Sequence, residues 1–198
     1  MRLFIALDLD DTIRARIARF IEGVRAFAPD ARWMKLESLH VTLKFIGEQP
    51  EASVTQIDTT LRTIGYAPVT IAFRGSGFFP TANAPRVFWV GLQAGPELGS
   101  LAATVDDKIA ALGIPKEDRL YSPHLTLARG GSRNSGAPKT LKGDRSNHTF
   151  HRLRERLSAV PQPEFGTMTA REFFLYRSEL SAKGSRYTKL TGFKLNPH

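Results

Sequence analysis

Leu39–Phe45 reads LHVTLKF and Pro123–Arg129 reads PHLTLAR. Each run sets a histidine, an apolar residue, a threonine and a leucine in succession, once in each half of the chain. A lone His-x-Thr is common. For the longer pattern, composition alone predicts roughly 0.02 copies in a chain of this make-up, so two copies are signal.

Both runs have the apolar content and the turn-rich flanks of strands. Side chains alternate along a strand, so His40 and Thr42 share one face, about 6–7 Å apart, while Val41 and Leu43 share the other. His124 and Thr126 repeat the arrangement, with Leu125 and Leu127 on the buried side. Facing strands would gather two imidazoles and two hydroxyls around one cleft. Phe45 and Arg129 each stand five residues after their histidine. Strict alternation turns them to the opposite face, so either the strands bulge or end there, or the two residues serve the core and a surface ion pair.

The rest of the chain falls into elements of alternating type. Arg2–Leu9 reads as a strand, with Asp10 or Asp11 capping a helix that carries Ile13, Ile17, Phe20, Ile21 and Val24. The first motif strand, Leu39–Ile46, ends at Gly47 and Pro50. A second helix runs from Val54 to Ile64. Strands are predicted at Val69–Phe73 and Arg86–Leu92, separated by the turn-rich GSGFFPTANAP. A third helix, Leu98–Leu112, precedes the second motif strand, Ser122–Ala128. A short helix near Phe150–Val160 and strands at Glu172–Arg177 and Arg186–Leu195 complete the chain. Each half thus orders strands, a helix and a motif strand alike, a duplication in pattern rather than in letters. Two lobes related by a pseudo-twofold axis would bring the motif strands face to face.

The 198 residues suit one domain or two small lobes on one core. Cysteine is absent, which excludes disulfides, thiolate metal sites and thiol nucleophiles. A net charge of +9 and a pI near 10.2 favour a polyanionic partner such as nucleic acid, although a basic surface also serves solubility. Mean hydropathy is −0.23, and no apolar run approaches a membrane span. The opening MRLFIALDLDD is apolar for too short a stretch to be a secretory signal, so a cytoplasmic protein is expected. Between 129 and 156 the chain is rich in Arg and Lys. Its first part, about 130–148, reads as a flexible basic insertion, either solvated or ordered by nucleic acid.

Two imidazoles suit cleavage of a phosphodiester: one takes a proton from water and the other donates one to the leaving oxygen. Thr42 and Thr126 would hold the non-bridging oxygens. Structural histidines and a zinc site are the competing readings, and two histidines without adjacent Cys, Asp or Glu make a poor zinc ligand set. GGSRNSG lacks the lysine of a phosphate-cradling loop, and no nucleophile elbow supports a serine triad. Trp33 and Trp89 read as core, Arg86 as an ion-pair partner, and His148 and His151 as solvated.

HVTL and HLTL resemble the two HxTx motifs of the 2H phosphoesterase superfamily. The opening RLFIALDL, LHVTLKFIGE, PRVFWVGL, PHLTLAR and the tail FFLYRSELSAKGSRY resemble one branch, the RNA 2′,3′-cyclic phosphodiesterases, also called 2′-5′ RNA ligases. The resemblance implies a bilobal α+β fold in which two antiparallel sheets line a central V-shaped cleft, with helices outside. It implies hydrolysis of RNA 2′,3′-cyclic phosphate ends to 2′-phosphomonoesters without cofactor or metal, by a monomer acting on tRNA fragments or nucleotides. His40 would be the general acid and His124 the general base, a choice that near-symmetric motifs do not make by themselves. Arg129 would neutralise phosphate, Phe45 would stack on a base, and Tyr121 would floor the cleft or join the core. Ligation by the reverse reaction and a non-catalytic RNA-end-binding module are the alternatives.

Overall fold

The computed structural model describes residues 1–130, 149–181 and 184–196. Its strands are β1 (Arg2–Asp8), β2 (Arg32–Trp33), β3 (His40–Glu48), β4 (Val69–Pro80), β5 (Pro85–Ala94), β6 (His124–Arg129), β7 (Glu164–Ala170), β8 (Glu172–Ser181) and β9 (Gly184–Lys194). Four α-helices occur among the described residues: α1 (Asp11–Val24), α2 (Ser53–Leu61), α3 (Pro96–Ala110) and α4 (His151–Ser158). The basic insertion expected at about 130–148 lies outside the described residues, apart from Gly130. None of the described helices is long and apolar enough to cross a membrane.

Local sequence accounts for the helices. Asp10 caps α1 by accepting from the Ile13 N–H at 2.7 Å, a contact worth about 1 kcal/mol. Ile13, Ile17, Ile21 and Val24 then recur on one face and are buried. Pro96 opens α3, where its missing N–H costs nothing.

Two antiparallel sheets form, ordered β3-β1-β8-β9 and β2-β6-β5-β4-β7. Apart from the two-residue β2, each is built alike: a motif strand, the strand preceding it across a helix, then two more. The halves nevertheless interleave. β4 comes from the first half and serves the second sheet, because a short turn ties it to β5. The C-terminal β8 and β9 complete the first sheet around β1. One continuous apolar core joins both sheets and the helices. α1 lies against β7, where Arg16 Nη1 donates to the Phe165 carbonyl at 2.9 Å.

Two expectations change. The segment read as a turn after Phe73 continues as strand to Pro80. Gly75, at φ 77°, makes a bulge there instead of a reversal, and Gly77 is glycine because the Trp89 ring would stand 2.4 Å from its Cβ. β7 escaped detection because Gly166, at φ 101°, interrupts the alternation of Phe165, Met168 and Ala170.

Lys44 on β3 is buried, at 4% exposure. Its ammonium pairs with Asp106 on α3 and donates to the Pro115 carbonyl at 2.9 Å, tying the first motif strand to the helix of the other half. Asp106→Ala leaves that ammonium enclosed and without its counter-charge, so urea denaturation should register a loss of about 3 kcal/mol. Lys44→Met should cost less, since the Asp106 side chain, 19% exposed, is still reached by water.

Candidate functional site

The motif strands lie where they can face each other. β3 is the edge of its sheet, and beyond β6 lies only the two-residue β2. Each contains, at the same place, a residue that its neighbour does not pair with. In β3, Ile5 pairs with Lys44 and Ala6 with Thr42, which leaves Leu43 unpaired. In β6, Phe88 pairs with Ala128 and Trp89 with Thr126, which leaves Leu127 unpaired. Both bulges fall three residues after the histidine. Beyond them Lys44 and Ala128 turn inward, while Phe45 and Arg129 emerge exposed. Bulging, not strand ending, is therefore how the residues five after each histidine join the face of His40 and His124.

A cleft of about 290 Å³ results, lined from one side by His40, Thr42 and Phe45 and from the other by His124, Thr126 and Arg129. This is near the lower end of ligand-pocket sizes. Phe45 is 56% exposed, a large apolar ring left facing solvent at the rim.

Both imidazoles are held by the same local device. His40 Nδ1 lies 2.7 Å from the Ser38 carbonyl, and His124 Nδ1 lies 2.8 Å from the Ser122 carbonyl. A carbonyl only accepts, so each Nδ1 carries the hydrogen, and Nε2 is the nitrogen outside that bond in each ring. The repeat therefore extends two residues upstream of each histidine, to Ser-x-His-x-Thr-Leu. That serine was legible in the sequence, although its backbone, not its hydroxyl, makes the contact.

Their surroundings differ. The first sheet curls so strongly that His40, on one edge strand, and Tyr187, on the opposite edge strand, bring their rings to 5.2 Å. Phe4, at 4.7 Å, and Tyr176, at 6.1 Å, complete an aromatic enclosure around His40. His124 meets the edge of Phe79 at 4.9 Å. Burial pushes the pKa of both histidines below the ordinary 6.5, and the nearby Arg129 cation pushes in the same direction; the carbonyl bonds oppose it. For His40 alone, the Asp8 carboxylate also opposes the shift.

Tyr121 is not brought into the cleft lining. Its hydroxyl donates to the Thr42 carbonyl at 3.0 Å, and its ring packs on the core, so it braces the second motif's approach against the first motif strand. Burial raises its pKa, and the phenol stays protonated. Trp33 packs against Phe88 and donates to the Ala28 carbonyl at 3.1 Å. Trp89 shares the face of its partner Thr126 and packs against Phe79, the rings tilted by 34° at 5.1 Å. His151 lies 3.6 Å from Glu155 on the exposed face of α4, Arg86 is exposed, and His148 falls outside the described residues.

Phe4, Tyr176, Tyr187 and Asp8 were not singled out from the sequence. A signal existed for two of them. In RLFIALD, the residues alternating with Leu3, Ile5 and Leu7 include an aromatic and a carboxylate, which is unusual for a solvent face. Among the described residues, no three His, Cys, Asp or Glu side chains gather closely enough to hold a metal ion.

Two antiparallel sheets, the first of them curled, line one cleft, and each contributes one His-x-Thr strand to it, the architecture of a phosphoesterase. The family model described as LigT like phosphoesterase matches residues 7–89 and again residues 90–187, one match for each half. The chain belongs to this family. An RNA 2′,3′-cyclic phosphodiesterase of Archaeoglobus fulgidus is 32% identical over 200 residues, covering 98% of this chain and 100% of the relative. The enzyme of the same name from Methanothermobacter thermautotrophicus is 31% identical over 197 residues, covering 98% and 99%. Among solved structures, a Thermus thermophilus protein superposes with a TM-score of 0.76 at 31% identity over the whole of both chains. E. coli LigT complexed with 3′-AMP gives a TM-score of 0.74 at 26% identity, covering 98% and 97%.

Tyr121→Phe removes one buried hydrogen bond between the two motif segments and keeps the packing. Its unfolding free energy in urea should fall by about 1 kcal/mol.

Proposed function

We propose that the protein is an RNA 2′,3′-cyclic phosphodiesterase that hydrolyses cyclic phosphate ends to 2′-phosphomonoesters. The observation that carries this reading is the pair of imidazoles at one cleft, each held through Nδ1 by a carbonyl, which leaves Nε2 for proton transfer. The activity named for the Archaeoglobus and Methanothermobacter relatives supports it, as does the 3′-AMP complex of E. coli LigT, a nucleotide bound within the same fold.

The mechanism follows from two bases and one substrate. His124 Nε2 accepts a proton from water as its oxygen forms the new P–O bond. The P–O3′ bond breaks on the opposite side, and His40 Nε2–H delivers a proton to O3′. Phosphate remains on O2′, and the two histidines exchange protonation states before the next turnover. Each transfer contributes about 10²–10⁴-fold. Arg129 balances charge developing on the non-bridging oxygens, and the hydroxyls of Thr42 and Thr126 orient them. The anionic substrate itself favours the protonated form of His40, offsetting the burial that disfavours it in the free protein. Phe45 at the rim supplies a stacking surface for the terminal base. Both proton transfers are met by side chains, so the reading requires no metal.

An oligoribonucleotide ending in a 2′,3′-cyclic phosphate, incubated with EDTA, tests this directly. The parent should yield a terminal 2′-phosphate, and His40→Ala and His124→Ala should each fall by about 10²–10⁴-fold. A 3′-phosphate product, or undiminished product from either variant, would overturn the assignment.

The pH profile of kcat/KM should be bell-shaped, with limbs that belong to the coupled pair. Burial disfavours the charged form, so the base is neutral at lower pH than free imidazole. The acid limb should therefore lie below pH 6.5.

A further inference from the structure

The two halves of the cleft repeat one histidine device, yet at one position they differ in kind. β1 and β5 are equivalent strands, each lying beside the motif strand of its own sheet. On β1 the residue paired with His40 is Asp8, whereas on β5 the residue paired with His124 is Gly91. Cross-strand partners project side by side from one face. Gly91 has no room for a side chain, because a Cβ there would come within 2.6 Å of the Arg74 carbonyl oxygen. One histidine has a carboxylate for a neighbour, and the other has bare backbone.

Asp8 is anchored at both oxygens. Oδ1 accepts from the Leu9 N–H at 2.9 Å and from Arg14 Nη2 at 2.6 Å, and Oδ2 pairs with the Lys189 ammonium. Burial pushes its carboxyl up, but the bond and charge of Lys189 and those of Arg14 outweigh burial and hold it below the ordinary 3.8. The negative charge is thus fixed in position and present throughout the working pH range.

We propose that Asp8 is a positioning residue that gives the two histidines their separate tasks. Its carboxylate favours the imidazolium of His40, so His40 keeps the proton to be donated while His124 stands neutral as the base. This inference rests on the two-histidine reading above.

Other groups around His40 do not supply the distinction. Tyr176 on β8 is held neutral by burial, and Tyr187 on β9 presents its ring. Lys189 on β9 and Arg14 on α1 approach through Asp8 itself. Across the cleft, the Arg129 charge on β6 disfavours both imidazolium forms, and His124 disfavours that of His40. Of these groups only Asp8 is negative, and among the described residues burial, the Ser122 carbonyl and Arg129 are what shift His124.

The test compares the parent, Asp8→Asn and Lys189→Met by NMR titration of the individual imidazoles and by the pH profile of kcat/KM. Without the carboxylate His40 releases its proton at lower pH, so the alkaline limb moves down while the acid limb stays. Asp8→Asn should therefore lose about three- to tenfold more activity at pH 8 than at pH 6. Lys189→Met uncovers the Asp8 charge and should move the same limb up. A purely structural role for the ion network would depress activity evenly across pH in both variants. His40 titrating in Asp8→Asn as in the parent, or moving only in step with His124, would overturn the proposal. Should Asp8→Asn fail to fold, an alkaline limb that is unmoved or lowered in Lys189→Met would overturn it as well. The NMR titration needs no turnover. A parent that hydrolyses no cyclic phosphate, with His40 still responding to Asp8→Asn, would sink the proposed activity and leave the assignment of Asp8 standing.

Discussion

Successive side chains of a strand take opposite faces, and Phe45 and Arg129 join the cleft because that rule is broken at the same place in both motif strands. One unpaired leucine in each motif strand, Leu43 and Leu127, shifts the two residues that follow it to the other side. Without the shift, Arg129 would drive a guanidinium into the core, at a cost no partner there offsets. The shift has its own consequence on β3, since turning Phe45 outward turns Lys44 inward. Asp106 and the Pro115 carbonyl meet that buried ammonium, and in doing so fasten the first motif strand to the helix of the second half. On β6 the equivalent position is Ala128, which is fully buried and asks for no partner.

The histidines inherit their chemistry from backbone as much as from side chains. A carbonyl two residues upstream sets the tautomer of each ring, so Nε2 is the nitrogen without the hydrogen in both neutral rings. The curl of the first sheet wraps Phe4, Tyr176 and Tyr187 around His40 and closes with the Lys189–Asp8 pair. The second sheet supplies His124 with the edge of Phe79 and bare backbone at Gly91. A duplicated fold thereby offers two imidazoles with one geometry and two environments, which is the requirement for separate acid and base tasks.

Much of this was legible residue by residue. The helices follow from apolar spacing and caps, and the repeat of His, Thr and Leu marked the strands that matter. The order of the lobes was less legible. Reading two consecutive halves misses that β4 crosses into the second sheet and that β8 and β9 return to the first, because which strands pair depends on packing partners far along the chain. Tyr121 shows the same limit. Its place beside the second motif suggested the cleft, but the first motif strand offers it a carbonyl, and a buried phenol goes where its hydroxyl is satisfied.

By itself, the sequence determined the local chemistry: which residues share a strand face, and a histidine placed two residues after a carbonyl that can hold it. These depend on backbone geometry within a few residues. Tertiary structure alone decided which groups surround each histidine. Asp8 and Lys189 meet across a separation of 181 residues, and Tyr121 and Thr42 across 79. Contacts at such separations come from sheet curl and strand exchange, which the whole core sets and no short stretch encodes.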